Sequence, residues 1–391
     1  MVRRPKSRLT VTSIAAGLLL GVAALTGCTT HSAASPASSG GEPPPIPLAA
    51  GVSMPGLSWA TVRTGGPSVG GKFWQLLVQD RAGGQWRLAT PPGVADNGGL
   101  AVTRADAGTV TVGFVPSQLL KFTPLAVTSD AGAHWSQGLL SAALADAPDS
   151  LAAAPDGRLV AITTKSVLES STGTTGWTTL VTLTALAATQ AGRHCGLVSL
   201  SGAVVEPDGT VLVAGGCRRP GAIGLFAAAP SGWQQAGPVL PASLGLKSAS
   251  VPRLMSSKEG TAALVAGQTG HGEVLIPAWL AAGSNSWKSY VPASLPASGV
   301  ASASGSAGGV WAVAFNGRRG LVVPPPGLTA SHDLARRISL PADGATLVPG
   351  AVAGELTALV PGLNTVAVWE LSANGSWRRS QVISVPRATG G

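Results

Sequence analysis

Few residues of this chain stand in a pattern that supports catalysis. Ser68 lies within Gly66-Pro67-Ser68-Val69-Gly70, which fits the Gly-x-Ser-x-Gly pattern of serine hydrolases. That nucleophile works on a tight turn between a strand and a helix. Here Gly71-Lys72-Phe73-Trp74 follows in a stretch typical of β-structure, so we interpret the segment as an ordinary turn.

Paired carboxylates are a second chemistry to consider, because most glycoside hydrolases use two of them. The acidic candidates are spread widely along the chain: Asp106, Asp149, Asp156, Glu206, Asp208, Glu259 and Glu273. Two of the segments that contain them, Ala154-Pro155-Asp156-Gly157 and Glu206-Pro207-Asp208-Gly209, are typical of hairpin turns. The sequence therefore predicts no catalytic residue.

The N-terminus has the pattern of a secretory signal. Arg3, Arg4, Lys6 and Arg8 precede an uncharged, mostly apolar stretch over residues 9–25. The stretch ends in Leu25-Thr26-Gly27-Cys28, which resembles the lipobox of bacterial lipoproteins. The resemblance implies removal of residues 1–27 and acylation of the Cys28 thiol by a diacylglycerol. We therefore expect a lipid anchor on the extracytoplasmic face of the cell membrane. The alternatives are an uncleaved membrane anchor and an ordinary signal with a chance cysteine.

The other two cysteines, Cys195 and Cys217, form an even pair in a chain with an export signal, which predicts a disulfide. They flank two strand-like runs, 196–205 and 210–215, and a hairpin of these runs would bring the cysteines together. His194 beside Cys195 raises the question of zinc, but structural zinc sites use four ligands. The histidines of the mature chain lack metal-binding spacing, so we predict neither a metal nor a cofactor.

The amount and distribution of charge predict that nucleic acid is not a partner. The chain has 26 basic and 17 acidic residues, and four of the basic ones precede Cys28, which leaves 22 against 17. No basic run is longer than two residues, whereas nucleic-acid binding needs clustered basic residues.

Residues 28–56 are rich in Ser, Ala, Gly and Pro, and are predicted to be a flexible tether. We expect the folded domain over 57–388.

Short Val/Leu/Ala/Thr runs alternate with Gly, Pro, Asp and Asn turns throughout this domain, which predicts an all-β fold. A turn followed by Trp recurs along it, at Trp86, Trp135, Trp177, Trp233, Trp287 and Trp377. The spacings are 42–56 residues, with one gap of 90 that fits two periods. Repeats of this length, each holding about four strands, are typical of propeller blades. We predict seven blades, with six or eight as alternatives, and interpret each Trp as a wedge between blades.

One of these repeats, Thr128-Ser129-Asp130-Ala131-Gly132-Ala133-His134-Trp135, resembles the Asp-box of the bacterial neuraminidase repeat, Ser/Thr-x-Asp-x-Gly-x-x-Trp. Thr128, Asp130, Gly132 and Trp135 match the motif. The resemblance implies a sialidase-like propeller in which the motif is structural. Sialidases also need a Tyr nucleophile, but the only Tyr here, Tyr290, follows a predicted outer-corner Trp. No catalytic residue is carried over from that family.

Two functions remain from the sequence. The first is a binding or scaffold module for a protein partner or cell-envelope polymer. The second is an exported glycoside hydrolase or lyase with a divergent site. The enzyme hypothesis predicts that acidic residues and Arg converge at one mouth of the ring. An apolar or mixed lining of that mouth favours the binding hypothesis.

Overall fold

Strands make up more than half of the residues that the computed structural model describes. The structure describes residues 49–65, 73–81, 83–92, 98–106, 108–115, 120–290, 292–296, 299–324, 335–350 and 354–386. Within these ranges no helix is long and apolar enough to cross a bilayer.

The strands fall into seven successive groups, in each of which strands that follow one another along the chain pair antiparallel. The first group contains β1 (Ala49–Met54), β2 (Leu57–Thr64), β3 (Phe73–Gln79) and β4 (Arg87–Leu88). The second contains β5 (Gly99–Arg104), β6 (Val110–Val115), β7 (Thr123–Thr128) and β8 (Ser136–Leu140). The third contains β9 (Leu151–Ala153), β10 (Leu159–Ile162), β11 (Ser166–Glu169) and β12 (Thr178–Thr182). The fourth contains β13 (Leu197–Val205), β14 (Val211–Cys217), β15 (Gly224–Ala229) and β16 (Gly232–Gln235).

The remaining three groups follow the same plan. The fifth contains β17 (Ser248–Ser257), β18 (Gly260–Thr269), β19 (Gly272–Ala281), β20 (Lys288–Ser289) and β21 (Ala293–Ser294), the last two of which both pair with β19. The sixth contains β22 (Val300–Ser306), β23 (Trp311–Phe315), β24 (Arg319–Val323) and β25 (Arg336–Ser339). The seventh contains β26 (Thr346–Pro349), β27 (Leu356–Pro361), β28 (Thr365–Leu371) and β29 (Trp377–Ser384).

Hydrogen bonds between groups join these strands into five sheets. The first and sixth groups share an eight-stranded sheet because β1 and β22 pair in parallel, with Val52 opposite Gly305. The fourth and fifth groups share a nine-stranded sheet through the pairing of Cys217 with Ala249. The sheets therefore do not by themselves give the predicted count of seven blades.

The folded domain begins earlier than the sequence predicted. Residues 49–54 were assigned to the tether but form β1, in which Ala50, Gly51, Val52 and Ser53 are buried. Gly51 is crowded by neighbours, since a Cβ at this position would lie 2.9 Å from Val348 and 3.0 Å from the Trp59 carbonyl oxygen. Small residues are therefore required in this strand, and that composition made it look like part of the tether.

Each group has four successive antiparallel strand positions, so the chain leaves a group on the side where it entered. The first strands of all groups therefore run in the same direction, and the strand ends lie on two opposite faces of the domain. We call the hairpin face the one that carries the turns from first to second and from third to fourth strands. We call the connection face the one that carries the turns from second to third strands and the links between groups.

The recurring Trp residues pack between neighbouring groups, as the sequence predicted. Trp86 lies among apolar residues of its own group and of the seventh, including Leu359 and Val366. Trp135, Trp177, Trp233, Trp287 and Trp377 likewise pack with residues of their own group and of the one before. The backbone N–H of Trp86 also donates to Gln381 Oε1 (3.0 Å), and Gln381 Nε2 donates to the backbone carbonyl of Trp86 (2.6 Å). The first and last groups are therefore in direct contact.

Two short helices interrupt the β-structure between the third and fourth groups, α1 (Leu183–Ala188) and α2 (Gln190–Cys195). Thr182 and Thr189 cap their N-termini, each accepting a backbone N–H bond through its side chain. A 3-10 turn (Ala242–Leu244) lies in the link before β17. All three lie on the connection face.

Candidate functional site

A cleft opens on the hairpin face where the first strands of five groups end. Its volume, counted with its open mouth, is about 490 Å³. The lining comes from β1, β2, β5, β9, β13 and β17 and from Asp149: Val52, Met54, Trp59, Val102, Thr103, Arg104, Leu151, Ala152, Ala153, Ala203, Val204, Val205, Leu254, Met255 and Ser256. Most of these side chains are apolar, so the cleft has a mixed lining in which few charged groups take part.

A buried ion pair lies at the inner side of the cleft. Arg253, in the first strand of the fifth group, donates from Nε to Asp149 Oδ2 (2.8 Å) and from Nη2 to Oδ1 (3.0 Å). Its third nitrogen, Nη1, donates to the Ala303 carbonyl of β22. The Leu254 N–H donates to Asp149 Oδ2 (2.8 Å), and the Ala203 N–H donates to the Asp149 carbonyl (2.8 Å).

This pair ties four groups together at the centre of the fold. Asp149 belongs to the link before β9, Ala203 to β13, Arg253 to β17 and Ala303 to β22. The Arg253 and Asp149 side chains are only 1% and 9% exposed. Both carboxylate oxygens and all three guanidinium nitrogens are hydrogen-bonded, which is the condition under which a buried pair is tolerated. The carboxylate is therefore engaged in structure rather than held free for proton transfer.

Three carboxylates in the turns of the hairpin face are also engaged, because each holds its own turn. Asp106 accepts the N–H groups of Gly108 and Thr109 (both 2.8 Å), and these bonds, the one from Thr109 foremost, lower the pKa of its carboxyl. The Arg158 side chain and N–H both donate to Asp156, and lower its pKa as well. Asp208 accepts the Thr210 N–H (2.9 Å).

The remaining acids considered from the sequence do not form a catalytic pair either. Glu206 Oε1 accepts the hydroxyl of Thr261 (2.7 Å) in the next group, and Glu259 lies 3.9 Å from Lys258. Glu273 lies at the start of β19 on the opposite, connection face. Arg104 reaches from the cleft wall to the carbonyl of Leu57 (2.8 Å), and burial lowers the pKa of its guanidinium.

The turn that resembles an Asp-box has the hydrogen bonds that its residue types predict. Asp130 Oδ1 accepts the His134 N–H (2.9 Å) and the Thr128 hydroxyl (2.7 Å), and Thr128 Oγ1 accepts the Gly132 N–H (2.9 Å). The His134 N–H foremost, followed by these side-chain bonds, holds the pKa of the Asp130 carboxyl far below its usual range. Gly132 has φ +92°, where a side chain would be strained. The turn lies at the hairpin face, away from the cleft wall.

The predicted disulfide is present and joins Cys195, the last residue of α2, to Cys217, the last residue of β14, with 5.1 Å between the Cα atoms. The predicted hairpin is β13 with β14, in which Leu197 pairs with Cys217. Within the described ranges no three metal-ligating side chains come together. Cys28 and the lipobox residues Leu25, Thr26 and Gly27 lie outside the described residues. Ser68 does so as well, and the next described residues form the strand β3.

Sequence reasoning missed the Asp149–Arg253 pair. In the sequence Asp149 is one of seven dispersed acidic candidates, and Arg253 belongs to no recognisable motif. A signal was present, since Arg253 is the one charged residue in the run Val251-Pro252-Arg253-Leu254-Met255 of a strand buried on both sides. A lone charge in such a strand needs a buried partner of opposite sign. Nothing in the sequence indicates which acid, 104 residues away, supplies it.

Comparison with known proteins gives a fold and no sequence family. No protein-family model matches the chain, and no curated protein matches it in sequence. Among solved structures, a GH74 xyloglucanase from Xanthomonas campestris matches over 89% of this chain with a TM-score of 0.53 and 12% identity. This chain spans 55% of the length of that xyloglucanase. The periplasmic gluconolactonase PpgL of Pseudomonas aeruginosa matches over 84% of this chain and 96% of its own, with a TM-score of 0.53 and 18% identity.

The fold is that of a β-propeller. In a propeller the first strand of each blade lines a central channel, which explains why the cleft draws on β1, β5, β9, β13 and β17. Identities of 12–18% carry the fold alone, and a fold does not determine a function.

Proposed function

We propose that this chain is a lipoprotein, anchored through lipid on Cys28 to the extracytoplasmic face of a membrane. Its propeller acts as a binding or scaffold module for a protein partner or a cell-envelope polymer. In this proposal each of the seven strand groups is one blade, and the turn at Asp130 is an Asp-box with a structural role. The lipobox Leu25-Thr26-Gly27-Cys28 supports the anchor, and the contact of Trp86 with the seventh group supports a closed ring.

One observation carries the preference for binding over hydrolysis. A glycoside hydrolase needs two carboxylates facing a shared space, but the charged groups at this cleft are bonded to the protein itself. Asp149 is held by Arg253, and Arg104 donates to the carbonyl of Leu57. The rest of the cleft wall is mainly apolar, which suits contact with a partner surface better than proton transfer.

A photo-crosslinking experiment in intact cells tests the binding role. A photoreactive residue replaces Lys258, which is exposed in the hairpin between β17 and β18, and in a matched chain it replaces Thr178, exposed on the outermost strand β12. We expect one identifiable envelope protein or polymer to be captured reproducibly at position 258 and not at 178. Equal capture at both positions, or turnover of a wall glycan by the purified chain, would contradict the proposal.

The anchor has its own test. In cells that make lipoproteins, we expect the chain to fractionate with membranes and its mature N-terminal peptide to carry the mass of a diacylglyceryl group on Cys28. Cys28→Ala should leave the chain uncleaved at this site and without lipid. A mature N-terminus at any other residue would contradict the lipoprotein assignment.

A further inference from the structure

The two faces of the propeller differ in charge. Among the described residues, the connection face carries nine exposed Lys and Arg side chains and three exposed acids, Asp146, Glu273 and Asp343. The nine are Arg63, Lys121, Lys165, Arg193, Arg218, Arg219, Lys247, Arg318 and Arg319. The hairpin face of the same described ranges carries ten basic and ten acidic residues. The connection face is therefore strongly positive, while the hairpin face is balanced.

The positive charges of the connection face are not neutralised within the protein. Six ion pairs occur among the described residues, of which five lie at the hairpin face and one is the buried Asp149–Arg253 pair. None of the six includes any of the nine connection-face cations. Arg193 and Arg318 donate to backbone carbonyls, which leaves their charges in place, so the nine exposed cations can face an external negative surface.

Exposed apolar side chains lie on the same face. Val239 is 95% exposed in the link before β17, and Leu363 is 69% exposed in the turn after β27. Leu120 and Phe122, 43% and 42% exposed, flank Lys121 in the segment before β7. The other large exposed apolar residues of the described chain, Leu139, Leu180 and Val382, lie on outermost strands. Basic residues interspersed with protruding apolar ones are typical of surfaces that rest in the interface of an anionic membrane.

The direction of the chain brings the anchor to this face. β1 starts at Ala49 on the connection face, and Cys28 lies 21 residues before it. In the proposed lipoprotein these intervening residues are the tether that the sequence predicts, and a flexible chain of that length has a root-mean-square span of about 25 Å and a fully extended reach of about 70 Å. Lipid on Cys28 therefore holds the connection face close to the bilayer, within range of electrostatic attraction to headgroups at low ionic strength.

We propose that the connection face docks on the anionic phospholipid headgroups of the membrane in which Cys28 is anchored. Docking presents the hairpin face and its cleft away from the membrane, toward the envelope. The inference rests on the proposed lipid anchor, because the tether is what brings this face to the bilayer.

The test uses residues 28–391 with Cys28→Ala, produced without residues 1–27 and therefore without lipid, and measures their binding to sedimenting vesicles. The vesicles are an equal mixture of phosphatidylglycerol and phosphatidylcholine, or phosphatidylcholine alone. We expect binding to the anionic vesicles that weakens at least tenfold between 50 and 300 mM salt, and none to the neutral ones. A triple variant, Lys165→Glu, Arg218→Glu and Arg219→Glu, should bind the anionic vesicles at least tenfold more weakly.

A matched triple variant on the hairpin face has the same change in net charge: Arg81→Glu, Lys288→Glu and Arg379→Glu. All six positions are exposed, so equal circular dichroism and melting temperature should show that both variants fold. The hairpin-face variant should lose less than threefold. An equal loss in both variants, or no binding of the unsubstituted chain to anionic vesicles, would overturn the docking surface. Preferential binding of an acidic protein, rather than lipid, to the connection face would also overturn the proposal.

The two proposals fail separately. If the lipidated chain stays on phosphatidylcholine vesicles while the Cys28→Ala chain binds neither kind, the anchor stands and the docking surface falls. If cells leave Cys28 without lipid and the Cys28→Ala chain still binds anionic vesicles through the connection face, the anchor falls instead.

Discussion

The connection face and the hairpin face are built from the same strands and use charge in opposite ways. The described chain has 20 basic and 14 acidic residues, an excess of six. The connection face accounts for all of it, with nine against three, since the hairpin face is balanced at ten each and the Asp149–Arg253 pair cancels. The net charge of the described residues is thus a property of one face.

The difference follows from the kinds of turn at each face. Hairpins of a few residues need side chains that accept backbone N–H bonds, and Asp106, Asp130 and Asp208 do this on the hairpin face. Once placed, these acids attract basic partners such as Arg158. The basic residues of the connection face lie in the turns from second to third strands, in the links between groups and at strand ends, and among the described residues none of them forms an ion pair with an acid. The predictions below probe the centre of the fold first, then each face.

The largest effect is expected where four groups meet. Asp149→Ala leaves the Arg253 guanidinium buried and without its counter-charge, which should lower the free energy of unfolding by about 3–5 kcal/mol. Urea unfolding followed by Trp fluorescence measures it. Asp156→Ala, which removes an exposed partner of Arg158 at the hairpin face, is the control and should change stability little.

A second variant keeps this prediction testable if Asp149→Ala does not fold. The double replacement Asp149→Leu with Arg253→Met removes both charges, and should be clearly more stable than Asp149→Ala alone. If the single and double variants were equally unstable, packing rather than charge would explain the role of Asp149.

The next effect concerns the connection face. Replacing both Cys195 and Cys217 by Ala should lower the free energy of unfolding by about 3 kcal/mol, because a loop of 22 residues is no longer closed in the unfolded chain. The bridge also lies beside Arg193, Arg218 and Arg219. The same variant should therefore show faster amide exchange in α1 and α2 and weaker binding to anionic vesicles. Unchanged exchange in the helices would mean that packing alone holds this part of the face.

The sequence predicted the features that repeat and missed those that pair distant residues. The wedge position requires a large side chain at each interface, so Trp at regular spacing indicated the strand groups. The disulfide was accessible because Cys195 and Cys217 flank a single hairpin. β1 was missed because its partner β22 lies about 250 residues later and its own residues are small. The helices α1 and α2 have six residues each, too few for an apolar period, although Thr182 and Thr189 were available as capping signals.

The smallest effect compares two turns within the hairpin face. Asp130 and Asn374 occupy corresponding turns, and each accepts a backbone N–H through Oδ1, from His134 (2.9 Å) and from Ser376 (3.0 Å). Only Asp130 titrates. Its pKa in the folded protein lies far below the ordinary value of 3.8 because the charged form accepts these bonds. Its contribution to stability is therefore complete above that value and is lost gradually as the pH falls from it through the lower pKa of the folded state.

The comparison is made by measuring melting temperature between pH 6 and pH 2.5. Asp130→Asn should melt at a lower temperature than the unsubstituted chain at pH 6 and by a smaller margin at pH 2.5, so that its profile is flatter. Asn374→Asp should make the profile steeper, since it adds a second carboxylate in a turn that already offers the N–H of Ser376. If both substitutions left the profile unchanged, the bonds to Asp130 would add nothing beyond those of a neutral amide, and the two turns would be equivalent in spite of their different chemistry.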